Sequence, residues 1–120
     1  MLDLTGQPAG ICILPNNSKG FWSNSTGNIY QFNPTTLVVS SPVTLTGSDV
    51  LSGIAPTSDS TLLFIGDQGP APSFSNSIIW KIDTTTPTIH SSLSTPGNQA
   101  AGVGLSYYPP PVSEQIVMIV

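Results

Sequence analysis

Short apolar runs alternate with clusters of turn-forming residues along the chain. The runs are rich in β-branched and aromatic side chains and are bounded by Gly, Pro, Asn, Asp or Ser, which is the pattern of strands joined by tight turns. No stretch repeats its apolar residues with a period of 3.6, so no helix is expected. The pattern predicts strands at residues 10–14, 20–23, 28–32 and 37–41, and again at residues 51–55, 61–66, 77–82 and 88–92.

One segment of this pattern occurs twice, fifty residues apart. Residues 29–33 are Ile-Tyr-Gln-Phe-Asn, and residues 79–83 are Ile-Trp-Lys-Ile-Asp; the correspondence continues without a gap to Gly47 and Gly97. A repeat of this length indicates one supersecondary unit that buries its apolar surface against the next copy. The clear difference between the copies is an insertion at residues 67–76, a position where repeat proteins often carry a binding loop.

The starts of the copies show the same repetition. Gly10-Ile11 and Gly53-Ile54 each begin an apolar run, and Gly102-Val103 begins a third one. We therefore predict a single all-β domain over residues 1–120, with repeats at about 7–47 and 48–97 and a half repeat at 98–120.

The surface of this domain is expected to be polar and nearly uncharged. The 120 residues include two Lys, no Arg and six Asp or Glu, for a net charge of −4, and 38% of them are hydrophobic. Two cations are too few to bind a run of phosphates or an anionic membrane surface, so we expect neither nucleic acid nor membrane as a partner. No secretory signal is recognised, so we expect the chain to be made in the cytoplasm and either to stay there or to enter a larger assembly.

The residues that usually carry catalysis are scarce. His90 is the only histidine and Cys12 the only cysteine, and no nucleophile elbow, zinc motif or phosphate loop occurs. Asp49, Asp59, Asp67 and Asp83 follow strands in turn positions, where hydrogen bonding to the backbone explains them better than acid catalysis or calcium binding. We therefore predict no enzymatic activity, no metal and no cofactor.

Three aromatic residues are the candidate ligand-binding set. Tyr30 and Trp80 are equivalent in the two copies, and Trp22 lies on a neighbouring predicted strand. Tyrosine and tryptophan combine an apolar ring face with a polar group, which suits stacking on a sugar. The alternative for the same residues is packing between sheets.

Several coupled positions resemble the blades of β-propellers of the YVTN/NHL type. In those families a Gly-Ile-Ala strand is followed by an apolar pair and then by Ile-x-x-Ile-Asp-x-x-Thr. The second copy has Gly53-Ile54-Ala55, an apolar run at 62–65 and Ile79-Trp80-Lys81-Ile82-Asp83; the first has Gly10-Ile11-Cys12, Phe21-Trp22 and residues 29–33. The resemblance covers about residues 7–107 and implies antiparallel four-stranded blades.

Two and a half blades are fewer than the four to eight of a closed propeller. The resemblance therefore implies cyclic homo-oligomerisation, with a trimer favoured because three two-blade chains give six blades. A β-sandwich closed within one chain is the alternative. The predicted inter-chain interface lies near the C-terminus and comprises Tyr107, Tyr108, Ile116, Val117, Met118, Ile119 and Val120.

These features favour a non-enzymatic structural or binding protein. We expect a capsid decoration or cement protein of a bacteriophage virion, whose partners are copies of itself and the capsid shell. The first alternative is a carbohydrate-binding propeller module; small trimeric propeller lectins pair a Trp with Arg and Glu, and this chain has no Arg. The second alternative is a fragment of a longer propeller protein.

Overall fold

The computed structural model describes residues 7–70, 73 and 76–94. These residues form eight β-strands and no helix: β1 (Pro8–Ile13), β2 (Gly20–Asn24), β3 (Asn28–Phe32), β4 (Val43–Thr44), β5 (Leu51–Pro56), β6 (Leu62–Asp67), β7 (Ile78–Asp83) and β8 (His90–Ser94). The predicted half repeat at 98–120, with the candidate interface residues Tyr107, Tyr108 and 116–120, lies outside the described residues.

The strands form two antiparallel sheets, each in chain order. Sheet 1 has the order β1-β2-β3-β4 and sheet 2 the order β5-β6-β7-β8. Within each sheet, each strand pairs with the next; the short turn at residues 25–27 joins β2 to β3, whereas residues 33–42 and 68–77 form longer connections. The prediction of an all-β protein made of four-stranded antiparallel units is confirmed at this level.

The fourth strand of the first copy differs from the prediction. A strand was expected at 37–41, but regular pairing in β4 is limited to Val43–Thr44. Residues 37–41 run beside β3 through a single bridge between Phe32 and Val39. Leu37 has a φ of 61°, which is uncommon for a non-glycine residue, and Pro42 has no N–H to donate to a ladder.

The two copies also differ by one residue just after the third strand. Asn33 N donates to Val38 O, whereas Asp83 N donates to Ile89 O, one position later in the repeat. Accordingly Val39 lies opposite Phe32, while His90 lies opposite Ile82. The gapless correspondence inferred from the sequence is therefore wrong over this turn. It is restored by the end of the unit, where Ile29 pairs with Val43 and Ile79 with Leu93.

The main hydrophobic core lies between the two sheets. Because side chains alternate between the two faces of a strand, the strand register assigns each residue to a face. The inner face of sheet 1 carries Cys12, Phe21 and Ile29, and the inner face of sheet 2 carries Leu63, Ile65, Trp80 and Ile82. Apart from Cys12, which packs against the core, these residues are buried in one cluster with Leu14, Leu45 and Leu51.

The first strands of the two sheets approach each other closely. A Cβ on Gly10 would lie 2.9 Å from Ser52 O and 3.0 Å from Ile54 Cγ2, so only glycine fits there without displacing β5. Ser23 Oγ donates to Ser52 O (3.1 Å) in the same region. Further along the junction, Lys19 Nζ donates to Thr84 O (2.9 Å). The contact between the sheets thus combines an apolar centre with hydrogen bonds at its margins.

Candidate functional site

A second aromatic cluster lies on the face of sheet 1 that points away from sheet 2, called here the outer face of sheet 1. The indole ring of Trp22 stacks on Tyr30 with ring centroids 4.7 Å apart and an interplanar angle of 8°. Phe32 packs against Trp22 at 5.8 Å with a tilt of 44°. All three side chains are buried in a cluster of their own, separate from the core between the sheets.

Gly20 makes room for this cluster. Its strand neighbour across β2 and β3 is Phe32, and a Cβ on Gly20 would lie 2.1 Å from Phe32 Cζ. The Phe32 ring therefore lies directly over the bare backbone of Gly20. In sheet 2 the corresponding cross-strand pair is Leu63 and Ile82, so the two copies fill this position with different shapes.

Within this cluster, the indole Nε1 of Trp22 is buried without a hydrogen-bond acceptor. Trp22 is 0% exposed, and its Nε1 is the one buried side-chain polar atom without a hydrogen-bond partner in the described part of the chain. A buried N–H without an acceptor costs about 1–3 kcal/mol. The unpaired N–H therefore destabilises the folded state, while the stacking and the apolar contacts of the Trp22 ring stabilise it.

Trp80 has the same kind of polar group in a different environment. Trp80 Nε1 donates to Asp67 Oδ2 at 3.1 Å in the core between the sheets. Asp67 is fully buried at the end of β6. Its carboxylate also accepts hydrogen bonds from the backbone N–H groups of Asp49 (3.0 Å), Val50 (3.2 Å) and Gly69 (2.9 Å).

Asp67 has a larger structural role than the sequence predicted. A turn aspartate was predicted, and the bond to Gly69 N two residues later is of that kind. However, the residue lies within β6 and also holds the segment that joins the two sheets, through Asp49 and Val50. A buried carboxylate that accepts four N–H groups acts as a fixed anchor between linker, strand and core. Its position at the end of an apolar run is the only signal of this in the sequence.

Apolar side chains remain exposed on both faces that point away from the core. On sheet 1 these include two residues of β1, Ile11 (55% exposed) and Ile13 (49%), whose cross-strand neighbours on β2 are Trp22 and Gly20. Val39 (40%), which bridges to Phe32, is exposed on the same face. The corresponding surface of sheet 2, called here the outer face of sheet 2, includes half-buried Phe64 and Ile79 together with Leu93 (66%). Ile89, just before β8, is also exposed (64%).

Asp83, the last residue of β7, and Asp59 each use a side-chain oxygen to hold a neighbouring turn. Asp83 Oδ1 accepts hydrogen bonds from the backbone N–H groups of Thr85 (2.8 Å) and Thr86 (2.7 Å), and Asn33 makes the equivalent two bonds in the first copy. This confirms the turn role predicted for Asp83. Asp59 accepts hydrogen bonds from the hydroxyls of Thr57 and Thr61, and these lower its pKa from 3.8 to about 2.

The potentially reactive side chains are engaged in packing. His90 packs edge-on against Trp80 with ring centroids 5.7 Å apart, and its Nδ1 donates to Pro87 O at 3.2 Å. Burial raises the pKa of the Cys12 thiol from 9.0 to about 11, so the thiol is uncharged at neutral pH. Over the described ranges, no group of three or more His, Cys, Asp or Glu is placed to hold a metal ion.

The predicted ligand-binding set is not one site. Trp22 and Tyr30 stack together on the outer face of sheet 1, whereas Trp80 belongs to the core between the sheets. A sugar stacks on an open ring face, and all three of these side chains are buried. The geometry therefore favours the packing interpretation of these residues.

The described part of the chain belongs to the all-β class of proteins and is built from two repeated antiparallel sheets. No protein-family model matches the chain. No curated protein resembles it significantly. Among the described residues, no helix is long and apolar enough to cross a membrane.

Proposed function

We propose that the chain is a non-enzymatic structural protein that assembles with copies of itself and serves as a decoration or cement protein of a larger particle such as a virion. The observation that carries this proposal is the exposure of Ile11, Ile13, Ile89 and Leu93 on surfaces that face away from the core. Large apolar side chains exposed together on one face of a sheet usually mark a protein–protein contact. The near absence of charged residues in the chain suits a permanent contact better than a transient one.

Propeller-like blades are the arrangement that these surfaces support. A β-sandwich buries one face of each sheet and presents mainly polar residues on the other. Here β1 presents Ile11 and Ile13 outward, and β7 presents Ile79 next to Lys81. The close approach of β1 to β5 at Gly10 also suits blades, whose first strands lie side by side near a common axis.

The native mass of the purified chain tests the assembly. One chain has a mass of 12.5 kDa, and native mass spectrometry should find a discrete multiple of that mass, with the trimer as the expected species. A protein that stays monomeric at all accessible concentrations would contradict the proposal. A ladder of masses without a preferred size would contradict a closed ring.

Attachment to a particle needs a separate measurement. The purified oligomer should co-sediment with shells assembled from the capsid protein of the same source and should raise the temperature at which those shells disrupt. A carbohydrate-binding protein would instead show glycan-dependent quenching of its tryptophan fluorescence and would not affect the shells. The quenching would be lost in Trp22→Ala or Trp80→Ala. That outcome would replace the structural role with the carbohydrate-binding one.

A further inference from the structure

Two grooves occupy equivalent positions in the two copies of the repeat. Groove 1 lies beside the connection that follows β3, has a volume of about 460 Å³, and is lined in part by Lys19, Gln31 and Ser40. Groove 2 lies beside the connection that follows β7, has a volume of about 280 Å³, and is lined in part by Lys81 and Ser91. The volume of groove 1 is within the range of about 300–1,000 Å³ that is typical of small-molecule sites.

Each groove contains one of the two lysines of the chain. The lysines come from different positions of the repeat. Lys19 O and Leu62 O accept equivalent hydrogen bonds from the residues just after β1 and β5 (both 2.9 Å), which aligns Lys19 with Leu62. Lys81 aligns with Gln31 in the fifty-residue repeat. The two copies therefore place an ammonium group in the same groove from different strands, which indicates that the groove itself uses a positive charge.

The ammonium group of Lys19 is held in place without being neutralised. Its Nζ donates to Thr84 O at 2.9 Å, and this uncharged carbonyl uses one of the three N–H donors of the lysine. Among the described residues that line groove 1 there is no carboxylate, whereas groove 2 has Asp83 in the same lining as Lys81. Groove 1 therefore offers a positioned positive charge to an anion, and a positioned group loses less entropy on binding.

The other polar groups of groove 1 are amides and hydroxyls. Ser40 N donates to Gln31 O at 2.8 Å, so these two lining residues are adjacent. Asn33 Oδ1 accepts hydrogen bonds from Thr35 N (2.8 Å) and Thr36 N (3.0 Å), so the turn uses the acceptor half of this amide and does not use its Nδ2. Amide and hydroxyl groups match the hydrogen-bonding capacity of ligand hydroxyls.

A strained residue shapes groove 1. Leu37 has a φ of 61° and lies between Thr36 and Val38, which both line the groove. The corresponding residues 84–89 of the second copy have no positive φ. Non-glycine residues in this conformation concentrate at functional sites. Val38 is 66% exposed and gives the groove an accessible apolar wall.

We propose that groove 1 binds an acidic sugar, a polyhydroxylated ring that carries one carboxylate. Lys19 binds the carboxylate through a charge-assisted hydrogen bond. The amide and hydroxyl groups of Gln31, Asn33 and Ser40 bind the ring hydroxyls, and Val38 contacts the C–H groups of the ring. The two tryptophans do not form this site, and the site is compatible with the structural role proposed above and independent of self-assembly.

Titration of the purified wild-type protein with sodium glucuronate, followed by ¹H–¹⁵N correlation NMR, tests the proposal. Glucose, which lacks the carboxylate, and acetate, which lacks the ring, are the matched ligands. Glucuronate should give saturable shifts of backbone amides within residues 18–20 and 31–40, and both matched ligands should bind about tenfold more weakly. Equal binding of glucose or acetate, shifts confined to groove 2 or to the indole N–H groups, or no saturable shift would overturn the proposal.

Substitutions in the groove give a second readout. Lys19→Gln removes the charge and keeps an N–H donor, and Val38→Asp adds a carboxylate at an exposed position of the groove; each should weaken glucuronate binding about tenfold or more. Ser92→Asp is the matched control, because it adds the same charge at an exposed residue of β8 that lines neither groove. Thermal unfolding shows that each variant is folded. Unchanged binding in both groove variants, or equal weakening in Val38→Asp and Ser92→Asp, would contradict a site in groove 1.

Discussion

Replacing Trp80 and Trp22 by phenylalanine, one at a time, separates the energy of a tryptophan's polar group from that of its ring. Both substitutions remove the same atoms from a buried side chain. In Trp80→Phe the hydrogen bond from Nε1 to Asp67 Oδ2 is lost. In Trp22→Phe a buried N–H that has no acceptor is removed.

The expected difference in the free energy of unfolding between the two variants follows from these two changes in hydrogen bonding. A hydrogen bond to a charged acceptor contributes about 1.5–3 kcal/mol, and a buried unsatisfied donor costs about 1–3 kcal/mol. After Trp80→Phe, Asp67 Oδ2 still accepts its hydrogen bond from Asp49 N. The loss of the Trp80 hydrogen bond should therefore cost an amount near the lower end of its range. We therefore expect Trp80→Phe to lower the free energy of unfolding by at least about 2 kcal/mol more than Trp22→Phe does.

Urea unfolding followed by far-ultraviolet circular dichroism measures this difference without relying on tryptophan fluorescence. Both variants are compared at two protein concentrations, because self-association would add a concentration-dependent contribution. A double-mutant cycle with Asp67→Asn is the control: coupling is expected with Trp80→Phe and not with Trp22→Phe. Equal losses in the two variants, or a larger loss in Trp22→Phe, would refute the roles assigned to the two indole groups.

Three further substitutions or conditions test the local packing. Gly20→Ala should destabilise the fold by about 1–3 kcal/mol because its Cβ collides with the Phe32 ring, and adding Phe32→Ile should recover part of the loss in thermal unfolding. Because the pKa of Asp59 is lowered from 3.8 to about 2 in the folded state, stability should fall as the pH drops through that range, and Asp59→Asn should flatten the decline in acid-unfolding curves. The pKa of Cys12 is raised from 9.0 to about 11, so stability should fall as the pH rises over that interval, since the unfolded thiol ionises first. Iodoacetamide should accordingly alkylate Cys12 slowly in the folded protein at pH 8 and much faster in urea, and rapid labelling without denaturant would contradict its burial.

The positions of the strands could be predicted because each apolar run ends at residues that favour turns. Asn24 shows the mechanism: its Oδ1 accepts hydrogen bonds from Thr26 N (3.1 Å) and Asn28 N (3.1 Å) and so fixes the turn between β2 and β3. Such local bonds need only a few neighbouring residues, which is why sequence alone reveals them. The prediction of a strand at 37–41 was wrong for a local reason as well. The composition favoured a strand, but Leu37 adopts a positive φ.

The candidate site was less predictable because its contacts join distant residues. Trp80 and Asp67 are thirteen positions apart and meet only when β6 pairs with β7. Trp22 and Trp80 both lie in predicted strands, but the strand register places their side chains in different clusters. Which aromatic ring is covered depends on how the sheets stack, and alternation along a strand does not specify that.

The two copies fill equivalent cross-strand pairs with different residues. In sheet 1 a glycine, Gly20, faces the large Phe32, whereas in sheet 2 the same two positions hold the medium-sized Leu63 and Ile82. The next pair is Trp22 with Tyr30 in sheet 1 and Ile65 with Trp80 in sheet 2. A small residue opposite a large one and two medium-sized residues are alternative ways of filling a closely packed layer. Such alternatives explain why the repeat is clear in β3 and β7 but faint in β2 and β6.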